Sequence, residues 1–473
     1  MCYTIGKAIL TGGRLIMKKM TAMLISAIVG CSLFAAGELD DAVLHGETDK
    51  ERAIDYKPGE EMVFTLSIQG AKSLPKDEYF IKWSRTGDDG VTDSGQAPAS
   101  LTEPLVIRTK LDQPGFVRIL AYVVDKKGKA YRKNLPFKGD PNTPEGRKAL
   151  NRFERKDKRV FFDGGAGVDV ATLQSVPEPK DFDAFWARRR ARLAKVPLEA
   201  DMKELKGCRK GYRVYAVTIK CAGPRPSTGY LTIPEKADKQ KITVYFHGYG
   251  HSYPGKGHVI SPIFHSDGIN FNFSPHGYEL GREAEYYDEF FRSICSGGRT
   301  FGFDIKQNED PENSYFSGYT YRIMRALEWL KTLNEWDGKN LVVRGGSMGG
   351  LQSIWAAGLD PDVTLALPGI PWCCDMGGRD TLKRLINAWY IQETPALRYY
   401  DPVNLAKRIS KKCKVEITRA GLGDYCCPPS GVSVLFNNIP GPKKINWVQG
   451  STHGYVPPEK HQAFSVTGNG WSE

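Results

Sequence analysis

Beyond residue 37 this 473-residue sequence has no apolar run near the ~20 residues that a membrane helix needs, so no transmembrane helix is expected. It also lacks low-complexity tracts and internal repeats, which argues for ordinary globular domains rather than disorder. Clustered basic residues set beside aromatic stacking residues, the mark of a nucleic-acid surface, are absent. The one basic run, Arg188 to Arg192, is expected to be a solvated helix face, and no nucleic-acid partner is expected. None of the cysteine spacings matches a zinc site.

What is present starts with a leader. Lys18 and Lys19 precede the apolar run Met23 to Ala36, and Ala35-Ala36-Gly37 closes it with small residues, so residues 1–37 read as a secretory signal peptide with residues 1–16 as a mis-start. The protein is therefore expected to be exported: periplasmic, secreted or at the cell surface. "IVGC", ending at Cys31, resembles a bacterial lipobox and offers lipid anchoring as an alternative. Without Lys7, Arg14, Lys18 and Lys19 the formal charge of +12 becomes +8, 62 basic against 54 acidic residues. A basic exported protein can be drawn to acidic polysaccharides. Export also permits disulfides among the eight cysteines that follow the leader.

The length suggests two domains. Residues 38–176 carry short runs rich in β-branched and aromatic residues, among them "EMVFTLSIQG" and "GFVRILAYVVD", punctuated by Gly, Pro and Asp turns. Such spacing predicts an all-β, immunoglobulin-like sandwich, for which a packing or glycan-binding role is expected. At "VPEPKDFDAFWARRRARL" the period changes to that of a helix, with Asp181 able to cap it and Phe182, Phe185, Trp186 and Leu193 on one face. Residues 177–473 then alternate strands and helices after an opening hairpin, which predicts a mostly parallel sheet flanked by helices, the α/β-hydrolase arrangement. In such a sheet the chemistry lies beyond the carboxyl ends of the strands.

"LVVRGGSMGG", residues 341–350, places Ser347 in a G-x-S-x-G turn between a strand and a helix, where the sharp bend demands glycine and exposes the serine as a nucleophile. A base should follow a late strand, and His453 does so after "KINWVQGST"; His461, the only later histidine, reads as solvent-exposed. The acid should follow the strand before that, where Asp424 stands in "GLGDYCCPPSG"; Asp375, Asp380 and Asp401 are rivals better explained as surface carboxylates or caps. The backbone N–H groups of Met348 and Tyr249, the latter in "FHGYG", are expected to form an oxyanion hole, with His247 a buried structural histidine.

With these residues in view, the chain resembles the acetyl xylan esterase and cephalosporin-C deacetylase family, carbohydrate esterase family seven, from about Pro177 onward. The resemblance rests on "PKDFDAFW", "FHGYG", "SPHGYELG", "YRIMRALEWL", "GGSMGG" and "GLGDYCCPPSGVSVLFNNIPGPKKINWVQGSTHG". It implies removal of O-acetyl groups from plant-type glycans by a serine esterase, with Ser347, Asp424 and His453 as the triad and Tyr249 and Met348 as oxyanion donors. The family's Arg-Gly-Gln signature is missing, and His276-Gly277 occupies that neighbourhood, making His276 a substrate-binding candidate beside Trp372. Gly454 stands where members often carry Glu after the catalytic histidine. The small ring-forming members lack the sandwich, so their assembly is not carried over and the oligomeric state stays open.

The loops carrying Cys373-Cys374 and Cys426-Cys427 are expected to meet at one edge of the sheet, where a disulfide between the pairs would brace the acid loop; Cys208 and Cys221 form a further candidate pair. No metal or organic cofactor is expected, because nucleophile, base and donors are all protein groups. The competing readings are another ester hydrolase or peptidase on the same fold, and a non-catalytic glycan-binding protein with a relic hydrolase domain.

Overall fold

The computed structural model describes residues 37–155, 157–235, 238–250, 258–387 and 389–472. The proposed signal peptide and Cys31 lie outside these. Glu38–Glu473 form one compact unit, within which two hydrophobic cores are distinguishable.

The N-terminal part consists of two antiparallel sheets. One has the order β1-β2-β5, from β1 (Val43–Thr48), β2 (Glu61–Gln69) and β5 (Leu105–Lys110). The other runs β4-β3-β6-β7, from β3 (Tyr79–Gly87), β4 (Asp93–Pro98), β6 (Gly115–Asp125) and β7 (Phe161–Val168). Alternation along β2 buries Met62, Phe64, Leu66 and Ile68, and these meet Val117, Ile119, Ala121 and Val123 of β6 in a shared core. Where strand and turn alone are expected, a helix α1 (Pro144–Arg155) is inserted between β6 and β7.

The helix α2 (Phe182–Ala194) buries Phe182, Phe185, Trp186 and Leu193 as its periodicity predicts. Two expectations about it fail. Asp181 makes no side-chain cap; its carboxylate instead accepts the Tyr399 hydroxyl and faces Arg188. Arg189, expected in solvent, is fully buried, with its guanidinium 4.0 Å from the Tyr321 ring centroid and bonded to Ser317. The buried arginine ties α2 to α4 (Tyr315–Leu330).

Beyond α2 a ten-stranded sheet has the order β17-β16-β15-β14-β13-β11-β12-β10-β9-β8. The strands are β8 (Ala200–Glu204), β9 (Tyr212–Ile219), β10 (Ser227–Pro234), β11 (Gln240–Phe246), β12 (Ile269–Ser274), β13 (Trp336–Gly346), β14 (Leu365–Gly369), β15 (Lys414–Gly421), β16 (Lys443–Val448) and β17 (Ala463–Gly468). Neighbours from β12 through β16 pair in parallel, whereas the β9–β10 hairpin and the outermost strands are antiparallel. Helices α3 (Ala284–Ser293), α4, α5 (Met348–Leu359), α6 (Pro402–Ala406) and α7 (Pro429–Asn437) lie among these strands in the chain. The fold is α/β, and all parallel strands end at the same edge.

The N-terminal sheets are docked on that edge through backbone. The Gln449 side chain, fully buried, accepts from Gly165 N and donates to Gly165 O, both at 2.9 Å. An ideal Cβ on Gly423 would fall 1.8 Å from Asp163 O, so only glycine permits this approach. Arg118 of β6 pairs with Asp163 and lies 4.6 Å over the Tyr425 ring, and Phe116 packs on Trp447 at 5.9 Å.

Candidate active site

Ser347 is the single residue between β13 and α5. Its φ of 58° and ψ of −119° are unusual for a residue with a side chain, and the surroundings enforce them. Its N–H donates to Gly369 O at 2.9 Å, and its carbonyl accepts from Trp372 N at 3.1 Å. An ideal Cβ on either Gly345 or Gly349 would lie 2.4 Å from Phe246 O, whereas one on Gly346 meets nothing nearer than 3.9 Å. Glycine is thus required at 345 and 349 by the close passage of β11, and the turn holds the serine at its tip.

Beside it runs His247-Gly248-Tyr249, at the end of β11. An ideal Cβ on Gly248 would be 3.9 Å from Ser347 Cβ. Neither the Tyr249 nor the Met348 N–H has an acceptor among the described residues. Met348 opens α5, so its N–H has no partner within the helix. The Tyr249 ring is fixed by stacking on Phe301 at 4.2 Å, and its hydroxyl donates to Phe301 O at 2.6 Å. His247 bonds Asn272 and stacks on His258, and burial with the neighbouring His258 pushes its pKa down to about 4.

Asp424 and His453 come together as expected. Asp424 Oδ1 accepts the N–H groups of Cys426 and Cys427 at 3.0 and 2.9 Å, and Oδ2 lies 3.0 Å from His453 Nδ1. The carboxylate is buried, while the imidazole side chain is 35% exposed and so reachable by a substrate. No hydrogen bond joins the Ser347 hydroxyl to the His453 ring among the described residues. Burial alone would lower the His453 pKa, but the bond to Asp424 and the adjacent Cys426 sulfur reverse this and raise it to about 10. Reciprocally, Cys427 and His453 pull the Cys426 thiol below its usual range against the effect of burial.

The cysteines depart from expectation. All eight described ones are free thiols, so neither the brace between the two pairs nor the Cys208–Cys221 pair is formed. Cys427 Sγ instead stands 3.6 Å from His453 Nδ1. Although no zinc spacing exists along the chain, ligand atoms of Asp424, Cys426, Cys427 and His453 lie within 4.8 Å of one another, a donor set that suits a borderline or soft metal. Ligation through Asp424 Oδ2 and His453 Nδ1 would break the bond between them. Spacing could not show this set, because three donors come from one loop and the fourth from the next.

Other candidates sort by burial. His276 is only 2% exposed, bonded to the Tyr315 and Tyr319 hydroxyls at 3.0 Å and packed on Phe301, so it is a core residue and not a substrate contact. Trp372 is also buried, but its backbone touches Ser347 and its ring packs on Tyr249 and Phe303, so it backs the serine turn. Asp401 caps α6, Asp375 pairs with Arg384 and Asp380 accepts from Glu393 N, so all three rivals to Asp424 are engaged elsewhere. The sequence reading missed a cavity of about 1050 Å³ that borders Asp424 and His453 and is walled largely by the N-terminal part, by Arg118, Tyr122 and Phe161 of its sheets and by Lys133, Lys158 and Arg159 of the connection between β6 and β7.

The parallel sheet, the serine turn and the Asp–His pair at its carboxyl edge define an α/β enzyme. The chain belongs to the acetyl xylan esterase (AXE1) family, whose model matches residues 172–467. It is 33% identical over 282 residues to the acetyl esterase Axe7A of Xylanibacter ruminicola, a match covering 56% of this chain and 61% of that protein. Among solved structures it is similar to the acetyl xylan esterase of Paenibacillus sp. R4, at 22% identity and TM-score 0.47 over 60% of this chain and 93% of that one. Acetyl xylan esterase 1 of Thermoanaerobacterium sp. JW/SL YS485 is similar at 22% identity and TM-score 0.48, over 60% and 92% of the two chains.

Proposed function

We propose that this chain is an exported serine esterase that removes O-acetyl groups from plant-type polysaccharides or oligosaccharides through an acyl-enzyme on Ser347. The observation that carries the reading is Ser347 fixed at positive φ, next to two backbone N–H groups without an acceptor among the described residues and on the same sheet edge as the Asp424–His453 pair. The ester carbonyl oxygen would sit between the Tyr249 and Met348 N–H groups, which stabilise the negative charge that develops there. His453 takes the Ser347 proton and passes it to the departing sugar oxygen, and Asp424 holds the ring and stabilises the imidazolium. Water attacks the acyl-enzyme by the same route and releases acetate. The N-terminal sheets are read here as the immunoglobulin-like sandwich that the strand pattern predicts.

Acetate release from acetylated xylan, acetylated pectin and 4-nitrophenyl acetate tests this, with the unaltered chain set against Ser347→Ala. The variant is expected to lose about a thousandfold or more on every active substrate. Equal rates in the two proteins would remove Ser347 from the mechanism, and turnover of none of the three would remove the acetyl ester.

A further inference from the structure

In the reaction proposed above, the acyl group sits at Ser347 and the oxyanion donors, while the alcohol leaves on the side of the histidine that protonates it. The sugar therefore lies beside His453. The cavity of about 1050 Å³ borders His453 and Asp424, and its lining does not include Ser347. Its volume is at the top of the roughly 300–1,000 Å³ range of small-molecule sites, which suits several sugar rings better than one small ester.

Two features of the lining name the ligand. The first is an aromatic run that crosses from the N-terminal sheets to the catalytic loop: Tyr122 to Phe161 at 6.2 Å, then Phe161 to Tyr455 at 5.2 Å. Tyr455 is two residues beyond His453. Such rings offer apolar faces to sugars while the tyrosine hydroxyls stay polar. The second is charge. Arg118 is neutralised by Asp163 and Arg159 by Asp157. Lys133 and Lys158 adjoin each other, joined by Lys133 N donating to Lys158 O at 2.8 Å, and neither ammonium has a carboxylate partner among the described residues. Lys158 Nζ rests 4.0 Å from the Phe153 ring centroid. Lys133 is half-buried, and burial pushes its pKa down against the opposing pull of the nearby Glu459, Asp41 and Asp40 carboxylates, a cost that a bound anion would offset.

We propose that the N-terminal part, its sheets together with the connection between β6 and β7, supplies the leaving-group subsite, which takes an acetylated glycan chain bearing a uronic-acid carboxylate. The chain lies across Tyr122, Phe161 and Tyr455, and its carboxylate meets Lys133 and Lys158. This rests on the esterase reading for its orientation, but binding can be measured without turnover.

The test is calorimetric titration of the full chain with two unacetylated probes of equal length, a neutral xylo-oligosaccharide and one carrying a glucuronic acid. The acidic probe is expected to bind more tightly, with an advantage of about fivefold at low salt that fades as salt is added and is lost in the Lys133→Ala/Lys158→Ala double variant. Tyr455→Phe should keep the binding of both probes, and Tyr455→Ala should weaken both by about tenfold. Equal affinity for the two probes, an acidic preference that survives loss of both lysines, or binding of neither probe would overturn the proposal. Turnover of 4-nitrophenyl acetate by the unaltered chain reports on Ser347 separately. A chain that binds the acidic probe yet hydrolyses no ester would sink the esterase reading and leave the subsite standing.

Discussion

Two groups favour the charged form of His453, the Asp424 carboxylate and, more weakly, the Cys426 sulfur. A general base must be neutral to accept the Ser347 proton, so a raised pKa delays that state to higher pH, and the acid limb of kcat/KM should lie well above the ~6.5 of an unperturbed histidine. Removing Cys426 removes one stabiliser of the imidazolium. Cys426→Ala should therefore move the acid limb to lower pH, and pH–rate profiles of the two proteins check it; a limb that stays in place or moves upward would show that the sulfur does not act on the ring. Ser347, Asp424 and His453 were legible in the sequence because each follows an apolar strand by a short glycine-bearing loop. The sulfur neighbours were not, because what Cys426 and Cys427 touch depends on how two loops pack.

Among the elements, the least legible were those whose partners lie far along the chain. The strand β7, "FFDGGAGV", holds three glycines and so has little strand propensity of its own, yet seven of its eight residues are buried because β6 and the loops carrying Gly423 and Gln449 close over it. The parallel strands were plain by contrast, being apolar runs that recur between helical segments. Gln449, just after β16, shows what the sequence could not: a glutamine with nothing to mark it satisfies the N–H and C=O of Gly165 from 284 residues away. Gln449→Leu leaves both groups buried without partners, at a cost of about 1–3 kcal/mol for each. The variant is expected to melt several degrees lower in calorimetry, and an unchanged melting temperature would mean that water replaces the amide.

At the scale of the whole molecule, the family match begins at residue 172, but the structure does not divide there. Phe116, from the N-terminal sheets, belongs to the core of the ten-stranded sheet, and Asp163 and Arg118 press on the loop that carries Asp424. A chain started at residue 172 should therefore expose Trp447 and Tyr425 and be recovered aggregated or without esterase activity. The chain from residue 38 should unfold in a single cooperative transition. A soluble shortened protein with full activity on 4-nitrophenyl acetate would show the two parts to be independent.

The seam between them brings main chain directly against main chain at one point, where Gly423 meets Asp163 O. Such a seam behaves like a keyed joint: alongside the Gln449, Arg118–Tyr425 and Phe116–Trp447 contacts, a single methyl group added at Gly423 blocks it. Exchange of the front part between relatives, the simplest way to build new substrate preferences, is then open only to pairs that keep Gly423, and a hybrid library should be sorted on that position before any other.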